Sequence, residues 1–142
     1  MRVTETSKHR STSETSRPAS AASESCIAAC VDCARACDSC AIACLGEPEI
    51  DPLRECIRID LACANVCRAT ASVVTAFADA TDDFAVAQLE ACAAICRACA
   101  QECRKHAKMH EHCRVCAEAC ERSTDACDAM IAGTTTNDSD AT

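Results

Sequence analysis

The sequence has few of the large side chains that usually fill a protein core. It contains no tryptophan or tyrosine and two phenylalanines, and cysteine and alanine supply much of the 49% of residues that are hydrophobic. Small side chains bury little apolar surface, so at roughly 25 cal/mol per Å² such a core stabilises less than a leucine core of equal length. Something else is expected to fill the interior, and bound metal is the obvious candidate.

Charge and hydropathy exclude further classes of protein. The net charge is −8 and no basic stripe follows any predicted helix, so nucleic acid is not an expected partner. No run of about 18 apolar residues occurs, so no membrane span is expected. The segment after Met1 and Arg2 has neither the apolar stretch nor the arginine pair of an export signal. We therefore expect a cytoplasmic protein with reduced thiols.

Cysteine is the residue that the sequence has in excess. Seventeen cysteines occur in 142 residues, and almost all are three or four positions apart. This spacing places them along one face of a helix, the face that packs into the core of a bundle. We therefore expect thiols to line the interior and to act as metal ligands. They are Cys26, Cys30, Cys33, Cys37, Cys40, Cys44, Cys56, Cys63, Cys67, Cys92, Cys96, Cys99, Cys103, Cys113, Cys116, Cys120 and Cys127.

Four helices are predicted between two polar tails. Residues 1–23 and 134–142 are rich in serine, threonine and charge, which predicts disordered tails around a single bundle domain at 24–133. The helices are predicted over 23–45, 51–80, from 81 to about 106–109, and 109–132. Their connections are short, so neighbouring helices are antiparallel. The predicted fold is all-α, an antiparallel up-down four-helix bundle with a cysteine-lined core.

The limits of these helices follow from local signals. Gly46 and Pro48 are expected to end the first helix, and Gly133 to end the fourth. Asp51 and Pro52 are typical of a helix start. Acidic residues around position 82 favour the start of the third helix, because they compensate the positive end of the helix dipole.

The two ends of the bundle are predicted to differ in chemistry. Beside the second connection the helix faces continue into Val74, Phe77, Leu89 and Met130, so this end is expected to be closed by apolar side chains. The opposite end is expected to be a polar mouth where metal enters.

Several metal-binding side chains are predicted at this mouth. His106 and His110 are four residues apart and continue the cysteine face of the third helix, a spacing suited to sharing one ion. Met109 offers a thioether, which suits Cu(I). Asp60 lies on the face of the second helix and could hydrogen-bond a mouth histidine or ligate weakly. His112 is close by and is as compatible with plain surface polarity as with a ligand.

The thiols favour a soft metal. Residues i and i+4 of a helix have Cβ atoms roughly 5–6 Å apart, and a linear ion with two sulfurs at ~2.3 Å needs the sulfurs about 4.6 Å apart. A Cys-x-x-x-Cys pair can therefore hold one two-coordinate ion. Thiolates select Cu(I), zinc or iron–sulfur centres, and a continuous row of thiols suits bridged Cu(I). If every thiolate bridges two ions, each chain binds many Cu(I) ions, on the order of one per cysteine.

Other interpretations stay open at this point. Iron–sulfur clusters for electron transfer, or zinc storage or detoxification, would also use thiolates. A disulfide scaffold conflicts with the odd number of cysteines and their helical spacing. Cysteine as a small hydrophobe explains a few buried thiols, but not a thiol at almost every inward position. No nucleophile, base and orienting group stand apart from the thiols, so no enzyme is expected.

The cysteine spacing, the four helices and the His-x-x-x-His at the end of the third helix resemble the bacterial copper storage proteins, formerly labelled cysteine-rich ferredoxin-like. The resemblance covers about residues 24–132. It implies a homotetramer of bundles, each filled with Cu(I) through the polar end, and the cytosolic branch of the family. Copper ions, and a copper chaperone or copper enzyme that exchanges them, are then the expected partners. Asp60, Thr70 and Ser123 or Thr124 interrupt the row of thiols.

Overall fold

The computed structural model describes residues 20–141, with side chains described as far as Thr134. This part of the chain contains α-helices and no strand. A short 3-10 helix at Asp51–Leu53 precedes the second α-helix. The α-helices are α1 (Ala21–Leu45), α2 (Arg54–Ala76), α3 (Asp83–Arg104) and α4 (Glu111–Ala141).

The four helices form a closed ring of antiparallel neighbours. Each helix packs against the next one in the chain, and α4 packs back against α1. Every cysteine is buried inside this ring. The predicted four-helix bundle with a cysteine-lined core is therefore confirmed. Within residues 20–141 no helix is both long enough and apolar enough to span a bilayer.

Alanine lets the helices approach closely. Beside the thiols, each helix carries buried alanines, such as Ala34 on α1, Ala64 on α2, Ala93 on α3 and Ala117 on α4, none more than 4% exposed. The separation of two packed helices depends on the side chains at their contact. Methyl groups at these positions therefore allow thiols from facing helices to meet in the interior.

The first helix begins and ends close to its predicted limits. Ser20 caps it, because the Ser20 side chain accepts a hydrogen bond from the backbone N–H of Ser23 at 3.0 Å. It ends at Leu45, and Gly46 follows with a φ of −86°, so this glycine is not needed for a left-handed turn. Most of the predicted N-terminal tail, residues 1–19, lies outside the described residues.

The second helix is shorter than predicted at both ends. Asp51 and Pro52 form a 3-10 turn, and the α-helix starts at Arg54, whose Nε donates to Asp51 Oδ1 at 2.8 Å. The helix ends at Ala76 instead of residue 80, because Phe77 leaves the helical conformation with φ −128° and ψ 67°. In the loop that follows, Ala80 adopts a left-handed φ of 53° and donates its N–H to the Phe77 carbonyl.

The last two helices also differ from the prediction. Helix α3 ends at Arg104, and residues 105–109 form turns before α4 starts at Glu111. The prediction that Gly133 ends α4 is wrong, since the helix continues to Ala141, through the predicted tail. No described glycine has a positive φ, and Gly133 has open space where a Cβ would lie. It therefore sits on an open helical surface and does not break the helix.

The end beside the α2–α3 loop is closed by apolar side chains, as expected. Val74, Ala80 and Leu89 are fully buried there, and Met130 is 5% exposed. Phe77 is an exception, because it is 40% exposed and packs edge-on against Phe84 outside the bundle, with ring centroids 4.8 Å apart. We therefore expect any opening to the interior at another part of the surface.

Candidate metal centre

The interior of the bundle holds all seventeen thiols as free cysteines. Each is at most 1% exposed to solvent. The disulfide interpretation is not supported, because the sulfur–sulfur contacts across the core measure 3.5–4.0 Å and no pair is joined. The thiols therefore remain available as metal ligands.

Two sets of three thiols form closed triangles. In the first, Cys33 and Cys37 of α1 lie 4.0 Å apart, and Cys120 of α4 lies 3.6 Å from Cys33 and 3.7 Å from Cys37. A trigonal ion with metal–sulfur distances of ~2.3 Å requires sulfurs about 4.0 Å apart. These three sulfurs are thus already close to the spacing of a three-coordinate soft ion.

The second triangle joins α2 and α3. Cys92 and Cys96 of α3 lie 4.0 Å apart, and Cys67 of α2 lies 3.9 Å from Cys92 and 3.5 Å from Cys96. Like the first triangle, it combines a Cys-x-x-x-Cys pair with one thiol from the neighbouring helix. Both triangles are fully buried, so an ion bound there is shielded from water.

Contacts between helices connect these triangles into one network. Cys63 of α2 lies 4.0 Å from Cys33 and 3.7 Å from Cys96, and thereby links the two triangles. Sequence spacing predicted binding pairs within single helices, and it did not predict these links. Fourfold groups with ligand atoms within 4.8 Å of one another extend from the middle of the bundle to the mouth, for example Cys33, Cys63, Cys67 and Cys96, or Cys40, Cys44, Cys56 and Cys113.

Asp60 lies deeper in the bundle than the sequence analysis placed it. Its side chain is fully buried. It accepts hydrogen bonds at Oδ1 from the thiols of Cys99 (3.2 Å), Cys116 (3.4 Å) and Cys103 (3.6 Å). Among the described residues none of its hydrogen bonds goes to a histidine. The reason is that Cys56 is the α2 thiol nearest the mouth, and Asp60 follows one turn further inside.

The surroundings of Asp60 keep it neutral. Burial, together with the nearby sulfurs of Cys116 and Cys56, raises the pKa of this carboxyl from its ordinary value of 3.8 to about 9. It therefore holds a proton at neutral pH in the metal-free protein. A soft cation that approaches would favour the carboxylate, so Asp60 is a candidate oxygen ligand among sulfurs.

Three buried hydroxyl side chains stand where the row of cysteines is interrupted, and they differ in what they contact. Ser123 faces the thiols, with its Oγ 3.4 Å from Cys96 Sγ and 3.7 Å from Cys30 Sγ. Thr124 and Thr70 instead donate to carbonyl oxygens of their own helices, at 2.9 and 2.8 Å. Of the predicted gaps, Ser123 is therefore the one that occupies a thiol position inside the network.

Contacts between thiols shift their pKa values in both directions. Contacts with Cys116 and Cys120 raise the pKa of Cys37, whereas contacts with Cys120 and Cys37 lower the pKa of Cys33. Thiols this close do not ionise independently, so the loss of one proton changes the pKa of its neighbours. Nearer the mouth, burial raises the pKa of Cys44 to about 11. Metal binding must therefore displace protons from the core.

The mouth contains two histidines that are oriented by carboxylates. His106 Nε2 lies 3.1 Å from Glu102 Oε2, and His110 Nδ1 lies 3.5 Å from Glu47 Oε2. Each pair engages one ring nitrogen, which leaves Nδ1 of His106 and Nε2 of His110 for a metal. Glu102 and Glu47 were missed by sequence reasoning, although Glu102 precedes His106 by one helical turn.

The structure places the other two mouth candidates differently from the prediction. Met109 is 83% exposed and lies on the outer side of the turn, so the structure does not bring it to the thiols. His112 instead reaches the core, with its Nε2 3.5 Å from Cys44 Sγ and its ring centroid 5.2 Å from that of His110. An apolar residue, Leu53, is also buried at this end.

Together, these features define a class of protein. The chain is a helical bundle whose interior is a connected polythiol metal site, with histidines at one end. The family model described as copper storage protein matches residues 19–132. The chain belongs to this family. No curated protein sequence matches it significantly.

Solved structures agree with this family. A cytosolic copper storage protein from Streptomyces lividans with five coppers is 48% identical, with a TM-score of 0.73, over 78% of this chain and 92% of that one. The same protein loaded with 10 copper equivalents is 45% identical, with a TM-score of 0.75, over 84% and 96%. Copper storage protein 3 from Bacillus subtilis is 38% identical, with a TM-score of 0.66, over 77% and 98%.

Proposed function

We propose that this protein stores Cu(I) on the thiols of its interior. The observation that supports this most directly is the connected thiol network, in which Cys63 joins two closed triangles of sulfurs. Isolated tetrahedral zinc sites or compact iron–sulfur clusters need separate sets of four ligands. Shared, overlapping sets such as these suit an ion that accepts two or three bridging sulfurs.

The seventeen cysteines are the proposed ligands. If each Cu(I) replaces one thiol proton, the filled core stays neutral, at about one ion per cysteine. Neutrality matters because the core is closed to water, and an uncompensated charge there would be costly. Asp60 is proposed as an additional ligand, and Ser123 as a position where one thiolate is missing.

Loading is proposed to take place at the mouth. No thiol is open to solvent, so an ion that arrives at this end without a carrier meets the ring nitrogens of His106 and His110 before it reaches Cys44. The acidic partners Glu102 and Glu47 add attraction for a cation. Met109 is proposed as an outer thioether contact for the ion. His112 is proposed as a further ligand at the mouth, because it contacts Cys44.

The deciding experiment is an anaerobic titration of the fully reduced protein with Cu(I), in competition with a chromogenic chelator. We expect about seventeen ions per chain to bind before the chelator colours. The thiol protons should be released at the same time, in a ratio of about one per ion. Saturation at one to four ions would exclude storage, and reconstitution with zinc, or with iron and sulfide, would then test the other two metals.

We also propose an oligomeric state, a location and a class of partner for this protein. A homotetramer is supported by exposed apolar side chains such as Ile42, at 69%, and Leu45, at 54%. Light scattering should then give four times 14.9 kDa. A cytosolic location is supported by the Streptomyces lividans relative, which is described as cytosolic. Exchange with a copper chaperone or a copper enzyme can be measured by adding such a partner to the loaded protein.

A further inference from the structure

A groove between α1 and α4 passes along the outside of the bundle next to the thiol core. Its volume is about 540 Å³, within the range of small-molecule sites. Small side chains such as Ala36 and Ala119 line it, and so does Cys40, at 1% exposure. His112, which contacts Cys44, borders the same groove. The groove is therefore lined by one core thiol, Cys40, and by a histidine that contacts a second, Cys44.

Two arginines line this groove without a charged or hydrogen-bonding partner among the described side chains. Arg35 of α1 and Arg122 of α4 both line it. Among residues with described side chains, neither of them makes an ion pair or a side-chain hydrogen bond. Asp32 is the acidic residue that lines the groove, which leaves an excess of positive charge there. Other arginines are paired, at Arg54, Arg58, Arg68, Arg97, Arg104 and Arg114.

The charge of the groove indicates what it binds. A bare cuprous ion is a cation, and two guanidinium groups would repel it. A Cu(I) complex with anionic thiol ligands would be attracted, especially if the ligand has carboxylates, which arginine binds in a two-pronged geometry. The chain as a whole carries a charge of −8, so unpaired positive charge beside the thiols contrasts with the rest of the surface.

We propose that this groove binds a low-molecular-weight thiol with carboxylate groups, as its Cu(I) thiolate complex. Arg35 and Arg122 hold the carboxylates while copper passes to Cys40 and Cys44. This proposal rests on the storage function and adds the chemical class of the copper donor and its docking site.

The dimensions of the groove suit such a donor. With a rise of 1.5 Å per residue, Arg35 lies about 7.5 Å from Cys40 along α1. A tripeptide thiol spans about 10 Å when extended. One carboxylate can therefore reach an arginine while the thiolate and its copper lie beside Cys40.

The transfer is a ligand exchange without a redox change. The bond between copper and the sulfur of the carrier breaks, and a bond between copper and the sulfur of Cys40 or Cys44 forms. The proton of the cysteine thiol passes to the carrier sulfur, which leaves as a neutral thiol. Copper stays Cu(I) throughout, so no oxidant or reductant is needed.

The test compares two copper donors in anaerobic stopped-flow experiments with the reduced full-length chain. Cu(I)–glutathione carries carboxylates, whereas Cu(I)–cysteamine has the same thiolate chemistry without them. In the Arg35→Gln/Arg122→Gln variant we expect transfer from glutathione to slow about tenfold at low donor concentration, because two charge-assisted contacts are lost. Transfer from cysteamine should not slow.

A matched control separates docking from net charge. Arg54→Gln/Arg58→Gln removes the same charge from exposed positions on α2 and should transfer at the wild-type rate with both donors. A copper-free readout is the binding of S-methylglutathione, followed by NMR shifts around the groove, which the Arg35→Gln/Arg122→Gln variant should lose. Equal slowing with both donors, or none with either, would overturn the docking site.

The copper capacity of each protein tells the two proposals apart. If wild type and variant both fill to the same high number of ions but do not discriminate between donors, only the groove proposal fails. If the wild type itself binds few Cu(I) ions, the storage function fails, whatever the donor.

Discussion

The Oδ1 atom of Asp60 lies 3.2 Å from the Sγ atom of Cys99, in the interior of the bundle. Burial, together with the nearby sulfurs of Cys116 and Cys56, outweighs the hydrogen bonds that the carboxyl accepts and raises its pKa to about 9. Among the described residues, Asp60 is the one acidic side chain that is fully buried. Its ionisation is therefore expected to be coupled to folding.

Asp60→Asn should flatten the pH dependence of stability of the metal-free protein. In the unfolded chain the carboxyl ionises near pH 3.8, but in the folded protein only near 9. The folded state therefore binds the extra proton between these values, so the contribution of this group is fully present below pH 3.8 and is lost as the pH rises toward 9. Urea unfolding at pH 5 and pH 8 should show a smaller loss of stability in the variant than in the wild type.

The control for this prediction is Asp128→Asn, which removes an exposed carboxylate that lies 3.5 Å from Arg97. Its stability profile should follow that of the wild type. Identical profiles for Asp60→Asn and the wild type would show that Asp60 is ionised in the folded core.

Replacing Cys33 and Cys37 by serine should lower the Cu(I) capacity by about two ions, on the basis of one ion per thiol. The two residues form one edge of the triangle completed by Cys120. Mass spectrometry of the loaded protein under anaerobic, native conditions measures the capacity directly. An unchanged number of ions would contradict the stoichiometry, and a loss of many more would show that the triangle organises the rest of the network.

Ser123→Cys should raise the capacity by about one ion. The Ser123 hydroxyl already lies within 4 Å of the sulfurs of Cys96, Cys30 and Cys67, so a thiol at this position has three neighbours with which to bridge. Thr124→Cys provides the matched control, because the Thr124 hydroxyl bonds to the Cys120 carbonyl and not to a thiol. A gain in Thr124→Cys as large as in Ser123→Cys would mean that added thiols bind copper irrespective of position.

His106→Ala with His110→Ala should slow loading and removal of Cu(I) and leave the capacity nearly intact. These histidines lie at the mouth and outside the thiol network, so they act on the path of the ion and not on its final site. Stopped-flow exchange with a Cu(I) chelator measures the rate, and Lys108→Ala in the same turn is the control. Rates equal to those of the wild type would place the main path elsewhere.

The sequence by itself determined the helical bundle, the burial of the thiols and the difference between the two ends. The reason is that spacing of three and four residues fixes which face of a helix turns inward, and few other residues could fill that face. It also determined the soft-metal chemistry, because thiolates at these positions leave few alternatives. It misjudged Gly133, because a glycine permits a helix to end but does not force it to, and here the helix continues past it to Ala141.

The tertiary structure decided which side chains meet. Periodicity within one helix does not fix the axial position of its neighbour, so the links from Cys63 to Cys33 and Cys96 could not be derived from spacing. For the same reason the sequence placed Asp60 at the mouth, whereas in the structure it lies in the thiol core with partners from two other helices. Contacts between helices, set by close packing over small alanines, therefore turn rows of cysteines into one connected site.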